Sequence, residues 1–75
     1  MTPERLVHTA NQIALFFEAY PRESAEAGVL EHLQKFWTPA MLRQLVDYAA
    51  ADGQGLHTLV AAAATKLQRR RQDRG

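Results

Sequence analysis

Apolar positions recur along this 75-residue chain at the three- and four-residue spacings of amphipathic helices. The first run comprises Leu6, Ala10, Ile13, Phe17 and Tyr20. Three further runs follow, within residues 29–37, 41–49 and 56–67. No stretch alternates apolar and polar residues over the length of a strand. The pattern therefore predicts an all-α fold, a small bundle of about four short helices.

Capping residues and helix breakers predict where these helices begin and end. Thr2-Pro3 and Thr38-Pro39 each place a capping side chain before a proline at the first helical position. Pro21 is expected to end the first helix, because proline disfavours the helical conformation of the residue before it. Ser24 is the predicted cap of the second helix. The Asp-Gly-Gln-Gly segment at 52–55 is predicted to be the loop before the fourth helix.

The composition limits the stability of such a bundle. Hydrophobic residues make up 47% of the chain, but thirteen of them are Ala, which leaves 22 larger apolar side chains for a core. A core of this size stabilises a fold by at most about 3–5 kcal/mol. The chain contains no Cys, so it has neither a disulfide nor a thiolate metal site to support it. We therefore expect stabilisation by a protein partner, in the cytoplasm.

The charge is distributed unevenly along the chain. The formal net charge is +1, but the last ten residues carry five basic side chains against one acidic and thus +4. We expect a single helical domain over 1–68 and a basic C-terminal tail over 69–75. Cations at a helix C-terminus stabilise the helix dipole, and this interpretation is favoured over contact with nucleic acid or an acidic protein surface. No membrane-spanning run or signal peptide is expected.

Candidate catalytic and metal-binding residues are few. His8, His32 and His57 fall on three different predicted helices, whereas a zinc site needs three or four converging ligands. Ser24 is the only Ser and is already predicted to cap a helix, and no glycine-rich phosphate loop is present. We predict that this chain holds no catalytic, cofactor-binding or metal-binding residue.

Aromatic residues are the more informative feature. Phe16 and Phe17 are adjacent on the first helix, and Phe36 and Trp37 are adjacent where the second helix meets the third. Phe17 and Phe36 are expected in the core. For Leu15, Phe16 and Trp37 a partner surface is as plausible as the core, because aromatic residues are enriched at the centres of interfaces. Trp37, next to the turn that a proline constrains, is the hypothesised anchor.

Two segments of the sequence resemble the signatures of a known family. Residues 10–17, Ala-Asn-Gln-Ile-Ala-Leu-Phe-Phe, and residues 32–41, His-Leu-Gln-Lys-Phe-Trp-Thr-Pro-Ala-Met, are similar to two motifs of the delta subunit of NAD-dependent formate dehydrogenase. In the family an Asp often precedes the proline and an Arg often follows it. Here those positions are Thr38 and Ala40, and Arg43 lies one turn further on.

The resemblance implies a non-catalytic accessory subunit. In such complexes a large subunit holds a molybdenum or tungsten pterin and oxidises formate, and iron–sulfur clusters and FMN in other subunits pass the electrons to NAD. The delta chain carries no cofactor and supports assembly, stability or activity of the complex. The expected partners are the larger subunits, including the catalytic one. The expected contact residues are Asn11, Gln12, Leu15, Phe16, Lys35, Phe36, Trp37, Pro39 and Arg43.

A second function class stays open from the sequence. The alternative is a free-standing helical adaptor or nucleic-acid-binding protein that uses the basic tail. A basic recognition helix with polar side chains that read bases would support it, and the sequence lacks one.

Overall fold

A computed structural model describes the backbone of residues 2–74 and the side chains of residues 2–70. Its four α-helices are α1 (Pro3–Phe17), α2 (Arg22–Phe36), α3 (Pro39–Ala51) and α4 (Thr58–Arg74). No strand occurs within residues 2–74. The predicted all-α bundle of about four helices is confirmed.

The two Thr-Pro pairs begin helices as predicted. The Thr2 hydroxyl oxygen accepts a hydrogen bond from the Arg5 amide at 3.3 Å, and the Thr38 hydroxyl oxygen accepts one from the Met41 amide at 3.2 Å. Each bond satisfies an amide that has no carbonyl partner in the first helical turn. The prolines occupy the start of α1 and α3, where a missing N–H removes no helical hydrogen bond.

The boundary between α1 and α2 differs from the prediction. The helix α1 ends at Phe17, so Tyr20 follows the helix and does not extend its apolar side. The helix α2 begins at Arg22 after Pro21, without a side-chain cap, so the predicted cap Ser24 lies inside the first turn. Proline fixes φ but leaves ψ free, and the ψ of 147° at Pro21 makes this residue the extended entry to a helix.

The loop between α3 and α4 lies at the predicted position and contains two glycines with positive φ. Gly53 has a φ of 67° and Gly55 a φ of 83°, in the left-handed region that a Cβ disfavours. The Gly53 amide donates to the Tyr48 carbonyl at 2.9 Å and so closes the end of α3. The helix α4 begins at Thr58, two residues later than predicted, and Leu56 packs on the core from the loop.

One hydrophobic core lies among the four helices. Its largest fully buried side chains are Leu6, Val29, Leu33, Leu45 and Val60, which come from all four helices. The helix α4 packs mainly against α2 and α3. It buries Ala63 and Ala64, whose short side chains permit close approach between helices. Among the side chains that the structure describes, no polar or charged one is buried.

The C-terminal part of α4 extends beyond the predicted domain end at residue 68. The helix continues to Arg74, and Arg69 and Arg70 are exposed. The predicted tail otherwise concerns side chains at 71–75, which lie outside the described residues. No helix in the described part of the chain has the length and apolar character needed to cross a membrane.

Glu26 forms two ion pairs, one within α2 and one that connects α2 to α4. Its carboxylate accepts a hydrogen bond from Arg22 at 2.6 Å and lies 3.5 Å from the Lys66 ammonium. The hydrogen bond from Arg22 is the main cause of a pKa of Glu26 below its usual value, and Lys66 acts in the same direction.

Candidate interaction surface

Large apolar side chains remain exposed near the C-terminal ends of α1 and α2. Phe16 is 69% exposed and Phe36 is 68% exposed, while Leu15 and Tyr20 are each 52% exposed. Exposed apolar residues are common singly, but a contiguous group of them in a soluble protein marks an interaction site. Whether these four side chains form such a group depends on the contacts among them.

Ring contacts join several of these residues into two groups. Phe16 packs edge-on against Phe17 with 5.1 Å between ring centroids, and the Phe17 ring lies 5.9 Å from the Tyr20 ring. On α2, the His32 and Phe36 rings lie 4.7 Å apart. We refer to these five residues together as the aromatic face.

A groove of about 230 Å³ connects the two groups of the aromatic face. It is lined by Phe17, Gly28, Glu31, His32, Lys35 and Phe36. Gly28 provides room for the Phe17 ring, because a Cβ at position 28 would lie 2.5 Å from Phe17 Cε1. A glycine inside a helix is less stable than Ala by about 1 kcal/mol. Position 28 therefore has a residue of low helix propensity, and it is at this position that the Phe17 ring lies against α2.

Trp37 does not belong to this surface. It is 7% exposed and lies in the hydrophobic core, whereas the adjacent Phe36 points to solvent. The expectation that Phe36 is a core residue is wrong. The helix α2 ends at Phe36 and Trp37 has extended backbone angles, so the helical period does not relate the two side chains. A side chain buried to this extent offers little surface to a partner, so the hypothesis that Trp37 is an anchor is replaced by a role in the core.

Asn11 forms both of its side-chain hydrogen bonds within the molecule. Its Nδ2 donates to the Gly55 carbonyl at 2.8 Å, and its Oδ1 accepts from the His57 amide at 2.9 Å. Both partners lie in the loop before α4. The motif had suggested a partner contact for Asn11, and the structure instead shows that this side chain fixes the loop to α1.

His57 completes the link between α1 and the start of α4. Its Nδ1 accepts a hydrogen bond from the Leu59 amide at 3.1 Å, so the neutral ring carries its proton on Nε2. That Nε2 lies 2.5 Å from a carboxylate oxygen of Glu18. A second groove of about 240 Å³ lies beside this pair. Both ring nitrogens of His57 already have partners within the molecule. Nδ1 caps the start of α4, and Nε2 links it to Glu18 at the end of α1.

The other predicted contact residues are exposed but are not all close together. They are Gln12, Leu15, Lys35, Pro39 and Arg43. Lys35 borders the groove of the aromatic face. Leu15 lies about 100° around α1 from Phe16. Pro39 and Arg43 lie on α3, outside the aromatic face.

Three members of the aromatic face, namely Phe17, Tyr20 and His32, were not predicted as contact residues. The four-residue spacing of His32 and Phe36 places them on one side of a helix, and this signal is present in the sequence. The three-residue spacing of Phe17 and Tyr20 is likewise present in the sequence, although Tyr20 lies beyond the end of α1.

The described side chains contain no group of three His, Cys, Asp or Glu residues that is close enough to hold a metal ion. The arrangement that the described residues do offer is an apolar, aromatic surface with one acidic and one basic side chain at its groove. Such a surface is suited to contact with another protein.

Comparison with protein families gives one match. The model of the family described as NADH-dependent formate dehydrogenase delta subunit FdsD matches residues 5–64. This range contains the whole aromatic face and ends before the basic part of α4. No curated protein and no solved structure matches the sequence.

Proposed function

The chain belongs to the family of NADH-dependent formate dehydrogenase delta subunits, and on this basis we propose that it is a non-catalytic accessory subunit. It binds a larger subunit of a cytoplasmic formate dehydrogenase complex and supports assembly, stability or activity through that contact. The observation that carries the proposal is the exposed aromatic face between α1 and α2. The larger subunits, the catalytic one among them, are the proposed partners.

The aromatic face supplies a favourable free energy for docking. Full burial of an exposed Phe side chain contributes about 1.5–3 kcal/mol. In the free chain, about two-thirds of the surface of Phe16 and of Phe36 is exposed and can still be buried on binding. Aromatic side chains have few rotatable bonds, so they are ordered on binding at a small entropic cost. Phe16 and Phe36 are therefore the proposed anchors.

The cofactors of the complex are proposed to reside in its other subunits. Those cofactors are a molybdenum or tungsten pterin, iron–sulfur clusters and FMN. Iron–sulfur clusters are held mainly by cysteine thiolates, and this chain contains no Cys. The proposal therefore assigns this chain a role in contacts between subunits and none in electron transfer.

Co-purification tests the proposal. A formate dehydrogenase complex prepared without this chain is mixed with the tagged chain, and the bound subunits and formate-dependent NAD reduction are measured. We expect the Phe16→Ser, Phe36→Ser double variant to lose binding. The His8→Ser variant, changed at an exposed position on α1, serves as the matched control and retains binding.

The possible results separate the two parts of the proposal. If the unaltered chain binds no subunit and changes neither assembly nor activity, the accessory function is wrong. If the double variant folds, as circular dichroism would show, and binds as well as the unaltered chain, another surface forms the contact. Leu15→Ser and Arg43→Ser then test the two exposed regions outside the aromatic face.

A further inference from the structure

Glu31 and Lys35 line the groove of the aromatic face, one turn apart on α2. A Glu followed by a Lys four residues later is the arrangement that forms an ion pair within a helix. Across the side chains of residues 2–70, neither residue takes part in an ion pair. Both charges therefore remain available to another molecule, next to the exposed Phe36 ring.

We propose that the free chain forms a symmetric dimer through this groove, with the two α2 helices antiparallel. In a two-fold interface the same surface of each copy is used, so that residue i contacts residue j and residue j contacts residue i. Glu31 of each copy then pairs with Lys35 of the other. The groove is therefore complementary in charge to a second copy of itself, and two ion pairs form across the interface. This complementarity favours a second copy of the chain as the molecule that binds the groove.

The positions along α2 agree with this arrangement. Glu31 and Lys35 are separated by about 6 Å along the helix axis, so an antiparallel pairing centred between them brings opposite charges level. Phe36 lies on the C-terminal side of that centre and Gly28 on its N-terminal side. The antiparallel arrangement therefore directs the Phe36 ring toward the Gly28 end of the second copy's groove, where the Phe17 ring lies over Gly28 and offers an aromatic contact.

The dimer is expected to be weak and concentration-dependent. Stable protein interfaces bury about 1,200–2,000 Å² in total, and the groove involves few large side chains. The dimer covers part of the face that the proposed function assigns to a larger subunit, so the two associations compete. Self-association thus covers exposed aromatic side chains until the larger subunit replaces the second copy.

Charge exchange provides the test, with sedimentation velocity on the full chain at increasing concentrations. The unaltered chain should dimerise, and higher salt should weaken the dimer. Glu31→Lys and Lys35→Glu should each be monomeric over the same concentration range. In either variant residues 31 and 35 carry the same charge, so each of the two contacts across the interface is repulsive. An equimolar mixture of these two variants should restore a dimer. The double variant, with both charges exchanged, should also dimerise.

Phe36→Ser should weaken the dimer by at least tenfold, and circular dichroism controls for folding of every variant. A monomeric unaltered chain at the highest soluble concentration overturns the proposal. Single charge variants that dimerise like the unaltered chain overturn it as well, since the contact then lies elsewhere. A chain that is monomeric yet binds the complex refutes only the dimer, and a dimeric chain that binds no complex refutes only the accessory function.

Discussion

The adjacent residues Phe36 and Trp37 provide a pair of truncations with opposite expected effects on folding. Trp37 is 7% exposed and packs in the core. Replacement of a buried Trp by Ala removes its apolar contacts and leaves a cavity, at a cost of about 3–5 kcal/mol. Phe36 is 68% exposed and its ring contact is with His32, so Phe36→Ala should cost less than about 1 kcal/mol.

The magnitude is large for a domain of this size. Proteins are stable by about 0.05–0.15 kcal/mol per residue, which for 75 residues corresponds to about 4–11 kcal/mol. A loss of 1 kcal/mol lowers Tm by about 4–8 °C in domains of 60–100 residues. Trp37→Ala should therefore lower Tm by at least about 12 °C, or unfold the chain outright. Phe36→Ala should shift Tm by only a few degrees.

Thermal melting followed by circular dichroism at the helical band measures both effects, and urea unfolding gives the free energies. The same two variants in the co-purification assay should show the complementary pattern. Phe36→Ala folds but binds the complex less well, while Trp37→Ala fails because the chain itself is unstable. A Trp37→Ala chain that melts within a few degrees of the unaltered chain would refute the assignment of Trp37 to the core.

Two further predictions concern contacts that hold the bundle together, and a third concerns the C-terminal segment. Asn11→Ala should lower the free energy of unfolding by about 1–3 kcal/mol, because it removes two hydrogen bonds to the loop before α4; equal urea midpoints would contradict this. Glu26→Gln should be less stable than the unaltered chain at pH 7. Since the folded-state pKa of Glu26 is lowered, its contribution is present above the unfolded value of about 4.5 and is lost as pH falls through the folded value. The difference between the two unfolding curves should therefore disappear in acid, and a difference that persists there would refute the role of the carboxylate. Removal of residues 69–75 should leave Tm and co-purification nearly unchanged, because the last buried side chain before the cut is Leu67; loss of co-purification would make the basic segment a binding element.

The candidate site was only partly predictable. The sequence identified Phe16, Phe36 and Lys35 as contact candidates, and all three line or border the aromatic face. It also proposed Asn11 and Trp37, whose side chains serve the fold instead. The motif that resembles the delta subunits marks residues that matter to the family, but a motif does not distinguish a residue that touches a partner from one that holds the chain together.

What the sequence determined by itself is local. The caps at Thr2 and Thr38, the prolines that follow them and the glycines of the loop before α4 act over three or four residues, so their effect is visible in the order of amino acids. The apolar spacing likewise determined that the chain forms four helices, because one side of each helix requires burial.

The tertiary structure decided which of two adjacent aromatic residues is buried. It also decided which polar side chain forms hydrogen bonds within the molecule. Asn11 bonds to residues 44 and 46 positions away, a distance over which sequence spacing carries no geometric information. Phe36 and Trp37 are both large and aromatic, and only the end of α2 between them directs one to solvent and the other to the core. Burial depends on where the other helices lie, and that position results from the packing of the whole core.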